Sequence, residues 1–313
     1  MRSTYILFLA LNLLVACNKG PAVVKSFYYW KTVYQTSDIA PEKLKGLQQL
    51  YVRVFDVDRI DGAPRPVSVI QFKEQSTLPL VPVIYITNRT LEGLQSPELD
   101  TLARQITQLT KKVVSDFSEL QLDCDWTLGT KRIYFELIRK VRQQLDSQVV
   151  LSATIRLHQL KFAATTGIPP VDRGTLMLYN MSKLRDYAIS NSIFDAKVAQ
   201  SYLNTVEQYP LPLDLGLPTF QQLVLFRNQQ FVTTLRAPNY FDPNLQKSHF
   251  RPADRTYFRC IKDTIIRDIQ VEVGDELRFE NVQNTRDAYY AGLIANICQL
   301  DTVKIIYFDI HSQ

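Results

Sequence analysis

Glycine is scarce in this sequence, with 10 glycines among 313 residues. Loops that cradle phosphate groups and turns that bind dinucleotides need closely spaced glycines, because only glycine lets the backbone approach the ligand so closely. Neither pattern occurs, and the Gly-x-Ser-x-Gly turn of serine hydrolases is also missing. We therefore expect no cofactor and no serine nucleophile of that type.

Cysteine and histidine are also rare, with four and three residues. Beyond Cys17, the cysteines are widely separated, which is not the spacing of a disulfide framework or a zinc site. The histidines do not form the His-Glu-x-x-His pattern of metalloproteases. A cation held by Asp123, Asp125 and Asp309 is a minor alternative. We expect no metal, because Arg53 and Arg156 can balance these carboxylates.

A concentrated positive charge is absent. The formal net charge is +5, from 36 basic and 31 acidic residues. The basic residues are scattered, and none of their groups interleaves with aromatic residues as in nucleic-acid-binding surfaces. We therefore expect no nucleic-acid partner. The sequence does not indicate an oligomeric state.

The N-terminus predicts export. Residues 1–16 combine an early Arg2 with an apolar run too short to span a membrane, which is typical of a signal peptide. The stretch Leu14 to Cys17 resembles a bacterial lipobox, so Cys17 is the expected lipidation site and 17–25 a tether. The chain is then exported and anchored to the bacterial cell envelope, at the outer membrane, by lipid alone. The alternative is an ordinary signal peptide with an incidental cysteine.

Eight short apolar, β-branched runs recur along the chain with amphipathic stretches between them, as in βα units. They are SFYYWKTVY, LYVRVFDVD, LVPVIYITN, LQLDCDW, VVLSATIRL, TLMLYNM, LPLDLGLP and VKIIYFDI. This number predicts an α/β fold of the closed (β/α)8 TIM-barrel class, as a single domain over 26–313.

The gap 219–299 predicts an insertion between strands 7 and 8, with hairpins in QQLVLFRNQQFVTTLR and VEVGDELRFE. DELRFE is an alternative seventh strand.

Alternating side chains place polar groups inside this barrel. The inward sets predicted for strands 4, 5 and 8 are Gln121, Asp123 and Asp125; Ser152, Thr154, Arg156 and His158; and Tyr307 and Asp309. In strand 2, Arg53 points inward, with Asp56 and Asp58 near the strand end. Buried charges must pair with each other or face a solvated pocket. Enzyme sites of TIM barrels lie at the carboxyl ends of the strands, which favours a pocket over an internal salt-bridge network.

The fourth strand resembles that of glycoside hydrolase family 18, the chitinase family, commonly DGLDIDWE. LQLDCDWT matches it at Asp123, Asp125 and Trp126, but Leu120 replaces the first aspartate and Thr127 the final glutamate. MLYNM is similar to that family's Met-x-Tyr-Asp, with Met177 and Tyr179 retained and Asn180 in place of the aspartate. The Gln-x-Asp-x-Asp pattern of 121–125 also resembles a branch of bacterial lipoprotein barrels. The resemblance implies a glycan or polysaccharide ligand.

Thr127 departs from the chemistry of that family, whose final glutamate protonates the glycosidic oxygen. Three interpretations remain open. Another acid is the proton donor; or the protein binds a glycan without cleaving it; or its site is a relic on a scaffold. The candidate acids are Asp125, Asp309, Asp56 and Glu280.

These observations give two hypotheses. In the first, a lipid-anchored barrel acts on or binds a glycan, with Asp125 as acid/base, Asp123 as its charge partner and Asp309 as second carboxylate. In the second, the protein is a non-catalytic carbohydrate-binding or cell-envelope interaction protein. The remaining predicted substrate-binding residues are Arg156, Tyr179, Asn180, Tyr85, Trp30, Asp56 and His158. Core packing is an equal alternative for Trp30 and Tyr85.

Overall fold

The computed structural model describes residues 21–236, 243–254, 256–282 and 287–311. The predicted signal peptide and Cys17 lie outside the described residues. The first strand begins at Ala22, so the last four residues of the predicted tether belong to the barrel.

The described strands, in chain order, are β1 (Ala22–Tyr29), β2 (Val33–Tyr34), β3 (Leu50–Ile60), β4 (Ala63–Val67), β5 (Gln71–Phe72), β6 (Leu80–Ile86), β7 (Glu119–Asp123), β8 (Val150–Arg156), β9 (Arg173–Met177), β10 (Leu213–Pro218), β11 (Gln222–Arg227), β12 (Gln230–Arg236), β13 (Phe250–Pro252), β14 (Tyr257–Cys260), β15 (Thr264–Ile266), β16 (Ile269–Val271), β17 (Glu276–Glu280) and β18 (Thr302–Phe308).

The described helices are α1 (Pro41–Leu44), α2 (Asn88–Leu91), α3 (Ser96–Val113), α4 (Lys131–Arg142), α5 (Leu157–Lys161), α6 (Ala163–Thr166), α7 (Ala196–Leu203), α8 (Pro243–His249) and α9 (Asp287–Cys298). Among the described residues, no helix is long and apolar enough to cross a membrane.

Eight parallel strands form a closed barrel, in the order β1, β3, β6, β7, β8, β9, β10 and β18. Pairing of β1 with both β3 and β18 closes the ring. These are the eight runs predicted from the sequence, so the TIM-barrel prediction is confirmed. The seventh strand is Leu213–Pro218, and the alternative strand in DELRFE lies outside the ring.

Apolar side chains on alternate positions of the strands form the main core, between the barrel and its helices. On β7 and just after it, Leu120, Leu122, Cys124 and Trp126 belong to this core, as do Leu151, Ile155 and Leu157 around β8. The helices contribute the apolar faces of α3, α4 and α9. The predicted orientation of β7 and β8 is therefore confirmed, and their polar positions point into the barrel.

The interior of the barrel is polar at its base. Lys304 on β18 forms an ion pair with Glu119 on β7, at 2.8 Å, and Ser152 donates a hydrogen bond to the same carboxylate at 2.7 Å. One level higher, Tyr28 donates to Gln121 at 2.6 Å. Because each of these buried groups has a partner, the base of the barrel forms a closed hydrogen-bond network.

Strands from the segment between β10 and α9 form a separate five-stranded antiparallel sheet, in the order β12, β11, β17, β14 and β13. Its first predicted hairpin is present, as β11 and β12. The second, VEVGDELRFE, is not formed: Val271 ends β16, which pairs with β15, whereas β17 pairs with β11 and β14.

A buried charge pair ties this sheet to the loop after β9. Arg278 and Glu280 are fully buried and 2.7 Å apart. Arg278 also donates to the backbone carbonyls of Leu184 and Asp186, each at 2.7 Å, and Ser192 donates to Glu280. The sheet therefore fixes the loop that follows the sixth barrel strand.

Candidate functional site

Three polar residues lie at one level on neighbouring strands, at the carboxyl end of the barrel. Asp56 on β3 is in register with Tyr85 on β6, and Tyr85 is in register with Asp123 on β7. A bulge in β3 between Arg53 and Phe55 places Arg53 and Asp56 together, with Nη1 and Oδ2 3.4 Å apart. The strand ends thus gather carboxylates, as expected for a site in this fold.

Asp123 is the buried carboxyl of this group. Thr154 on β8 donates a hydrogen bond to it at 2.6 Å. Burial raises the pKa of Asp123 from 3.8 to about 6. The positive charge of Arg156 opposes this shift, and the negative charge of Asp125 adds to it. Asp123 is therefore a buried carboxyl whose pKa lies well above its ordinary value.

Tyr85 and Asp56 have similar surroundings. Partial burial raises the pKa of the Tyr85 hydroxyl, and the charges of Asp123 and Asp125 raise it further. Burial also raises the pKa of Asp56, while Arg53 lowers it. Tyr85 therefore lies between Asp56 and Asp123 at this level of the barrel.

Asp125 lies just beyond Cys124 after the end of β7 and is held by Arg156 at the end of β8. Arg156 Nε lies 2.5 Å from Asp125 Oδ1, and Nη2 lies 2.9 Å from Oδ2. This two-point contact fixes the plane of the carboxylate. The side chain of Asp125 is nevertheless 51% exposed, so the pair faces solvent.

A pocket of about 470 Å³ opens at this pair. Its lining comes from the ends of β7, β8 and β9 and from α7, and consists of Asp125, Arg156, Leu157, His158, Met177, Tyr179, Asn180, Met181 and Tyr202. Five of the predicted site residues therefore meet in one cavity. Asn180 has a positive φ of 54°, which turns the chain sharply after β9.

His158 lies on the rim of this pocket. Its partial burial lowers the pKa of the imidazole; the negative charge of Asp125 opposes this shift, and Arg156 adds to it. His158 is therefore a neutral hydrogen-bonding group at neutral pH.

Trp30 packs at the inner side of the barrel mouth. Its ring meets Phe308 edge-on at 5.4 Å, and the guanidinium of Arg53 lies 5.6 Å from the ring centre. Phe308 in turn stacks on Tyr179 at 5.3 Å. Trp30 is thus part of an aromatic cluster next to the pocket.

The prediction for strand 8 is wrong. Ile306 and Phe308 point into the barrel, whereas Tyr307 packs in the outer core and donates a hydrogen bond to Asp287. Asp309 accepts a hydrogen bond from the backbone of His311, and its own carbonyl accepts one from Thr219. The structure does not bring Asp309 into the pocket with Asp125.

No family model matches the sequence, and no curated protein matches it. Solved structures match its fold over nearly the whole chain. The spore cortex-lytic enzyme SleL of Bacillus megaterium QM B1551 is 12% identical, with a TM-score of 0.58, over 95% of this chain and 72% of that chain. SleL of Bacillus cereus is 14% identical, with a TM-score of 0.55, over 93% of this chain and 72% of that chain. A Group IV chitinase of Ostrinia furnacalis is 13% identical, with a TM-score of 0.53, over 92% and 93%. The fold is chitinase-like. The barrel fold that the resemblance of the fourth strand implies is therefore confirmed.

This chitinase-like barrel lacks an acid at the position that matches the family's glutamate. The backbone amide of Thr127 donates to the Thr130 hydroxyl at 3.0 Å, and the two hydroxyls are 3.3 Å apart. Thr130 in turn donates to Asn88. Thr127 therefore belongs to a small hydrogen-bonded turn before α4, and no carboxyl can act from this position.

Some residues of the pocket had no signal in the sequence. Tyr202 lies on α7, which is distant in sequence from β8 and β9. No local pattern therefore predicts that Tyr202 lies near the ends of these strands. Thr154, by contrast, was placed inward by alternation, and its role as donor to Asp123 follows from that position. Among the described residues, no group of histidine, cysteine and carboxylate side chains is arranged to hold a metal ion.

Proposed function

We propose that this protein binds a glycan in the pocket at the carboxyl end of its barrel and does not cleave it by the mechanism of chitinases. The observation that carries the proposal is the arrangement around Asp125. The carboxylate that lines the pocket is held in a two-point ion pair by Arg156, and the neighbouring position 127 has only a hydroxyl.

Protonation of a glycosidic oxygen needs a carboxylic acid that is protonated when the substrate binds. Both carboxylate oxygens of Asp125 accept hydrogen bonds from Arg156, and this contact orients the side chain to accept further hydrogen bonds from a ligand. An ionised carboxylate is a strong acceptor for sugar hydroxyl groups. The contact with Arg156 therefore positions Asp125 as a binding group.

The rest of the pocket fits a sugar. It combines the polar groups of His158 and Asn180 with the apolar surfaces of Met177, Tyr179 and Tyr202. Small-molecule sites usually have such a mostly apolar wall with a few polar groups that set orientation. The polar face of a sugar ring contacts the first set, and its C–H face contacts the second.

A second candidate function is hydrolysis with Asp123 as the acid. The observation in its favour is the pKa of Asp123, about 6, which leaves part of the carboxyl protonated near neutral pH. Against it, Asp123 is buried below the pocket and is not part of its lining.

We also propose that the chain is exported and anchored by a lipid on Cys17. The support is the sequence of residues 1–17. Labelling of expressing cells with a fatty-acid analogue, with Cys17→Ser as the control, tests this point. Equal labelling of both proteins would contradict it.

The decisive experiment is a glycan-array screen of residues 21–313, followed by titration and product analysis with each bound glycan. We expect binding without release of shorter sugars. Asp125→Asn and Arg156→Met should weaken binding about tenfold or more, because each leaves a charged partner without its counterpart. Asp100→Asn is the matched control, since Asp100 pairs with Lys140 on the outer helices. Release of products that depends on Asp123 would favour the second candidate, and absence of binding to any glycan would contradict both.

A further inference from the structure

Lys161, at the end of α5, lies between two aromatic rings beside the pocket. Its ammonium is 5.0 Å from the ring centre of Tyr202 and 5.6 Å from that of Phe162. Tyr202 lines the pocket, whereas Phe162 is 52% exposed. The three side chains therefore form a continuous path from the pocket to the protein surface.

The fold explains why these residues meet. α5 follows β8 directly, so His158 faces the pocket and Lys161 comes one turn later. α5 packs against α7, which supplies Tyr202. Phe162 ends α5 in a conformation that is not helical, and its amide donates to the carbonyl of His158. The path is thus built on the same helix as the pocket rim.

Within the described part of the chain, no carboxylate forms an ion pair with Lys161. None of the ion pairs found among the described residues includes it. In the pocket itself, Arg156 neutralises Asp125. An anion next to the pocket therefore meets one uncompensated positive charge.

The exposed ring of Phe162 adds a flat apolar surface beside that charge. A single exposed apolar residue is ordinary on a protein surface. Here the ring lies next to a cation, which in turn lies on the wall of a pocket that fits a sugar. A sugar ring with an acidic substituent matches both features, because its C–H face packs on the aromatic ring while its anionic group contacts Lys161.

We propose that Lys161 and Phe162 form a second subsite, outside the pocket, for an anionic unit of an oligosaccharide whose neighbouring unit occupies the pocket. This inference rests on the proposed glycan-binding function. It adds the class of ligand: a chain of at least two sugars, with a carboxylate or sulfate on the unit outside the pocket.

Titration of the 21–313 protein with three hexasaccharides tests this subsite. The probes are chitohexaose, which is neutral; a hyaluronan hexasaccharide, which carries carboxylates; and a sulfated chitohexaose. We expect an anionic probe to bind about fivefold more tightly than chitohexaose at low salt, as for one partly exposed charge pair, and the preference to shrink at high salt. The two anionic probes distinguish carboxylate from sulfate as the recognised group.

Three variants separate the parts of the subsite. Lys161→Met should remove the preference for the anionic probe, and Lys161→Arg should retain it. Phe162→Ala should weaken binding of all hexasaccharides several-fold but leave monosaccharide binding unchanged. Thermal unfolding serves as the folding control, since both side chains are exposed.

The outcomes are distinct. If hexasaccharides bind but show no anionic preference, or if Lys161→Met leaves the preference intact, the subsite is wrong and the proposed function stands. If no probe binds and the glycan array is also blank, the proposed function fails and the subsite fails with it.

Discussion

Asp123 provides a sharp test of the electrostatics of the barrel mouth. Asp123→Asn keeps the shape of the side chain and can still accept the hydrogen bond from Thr154, but it removes the buried charge. The pKa of Asp123 is raised from 3.8 to about 6, mainly by burial. Each pKa unit corresponds to about 1.4 kcal/mol, so ionising this group in the folded protein costs about 3 kcal/mol.

The sign of the effect follows from proton binding. Between pH 4 and pH 6 the folded protein binds the proton of Asp123 more tightly than the unfolded chain does. The contribution of Asp123 to stability is therefore fully present below about pH 4 and is lost as the pH rises through about 6. Asp123→Asn removes this dependence.

Urea unfolding from pH 4 to pH 8 measures it. Relative to the variant, the wild type should lose about 3 kcal/mol of stability across this range, and the variant should be the more stable protein at pH 8. A difference that is independent of pH, or that favours the wild type at pH 8, would refute the assignment of a buried, protonatable carboxyl to Asp123.

Three further predictions concern the same framework. Arg278→Met should destabilise the protein by about 3 to 5 kcal/mol in urea unfolding, because it leaves the buried Glu280 without its partner. The double variant Arg278→Met with Glu280→Gln should recover part of this loss of stability. A loss below about 1 kcal/mol for the single variant would contradict the prediction. Gly167→Ala should lower the free energy of unfolding by about 1 to 3 kcal/mol more than Gly46→Ala does. Both glycines have φ near +80°, but only at Gly167 would an added Cβ meet other atoms, 2.9 Å from the Phe135 ring. Equal losses of stability in the two variants would show that the Phe135 ring moves aside. Arg156→Met should raise the pKa of Asp123 further in a carboxyl NMR titration, because the positive charge of Arg156 lowers this pKa. An unchanged pKa would show that Arg156 does not influence Asp123.

The barrel and the orientation of β7 and β8 were predictable because polar and apolar residues alternate clearly along these strands. β7 and β8 alternate apolar residues with polar ones, so one set must face the helices and the other the interior. The position of the pocket followed from the rule that sites lie at the carboxyl ends of barrel strands. Asp125 and Arg156 lie at the ends of neighbouring strands, so their ion pair follows from the strand order.

β18 was mispredicted because Ile305, Ile306, Tyr307 and Phe308 are all apolar and both of its faces are buried. Without alternating polar and apolar residues, such a run does not indicate which face of the strand points into the barrel. Lys304 was the available signal: it shares the face of Ile306 and Phe308, and it points inward to Glu119. A charge at the base of the strand fixes its orientation better than an acid beyond its end.

Other features depend on contacts that no local pattern encodes. The bulge in β3 brings Arg53 and Asp56 together, although strict alternation would separate residues three apart. Tyr202 reaches the pocket only through the packing of α7 on α5. The pairing of β17 with β11 and β14 replaced a predicted local hairpin, because its neighbours in the sheet are distant in sequence.

The proposed function places an intact glycan in the pocket at Asp125 and Arg156. The most direct test is a crystal structure of the wild-type protein after long incubation with the tightest-binding oligosaccharide of the array. We expect an uncleaved sugar in contact with Asp125, Arg156 and His158, with the adjoining unit over Phe162. A cleaved sugar, or a sugar bound elsewhere with the pocket empty, would contradict it.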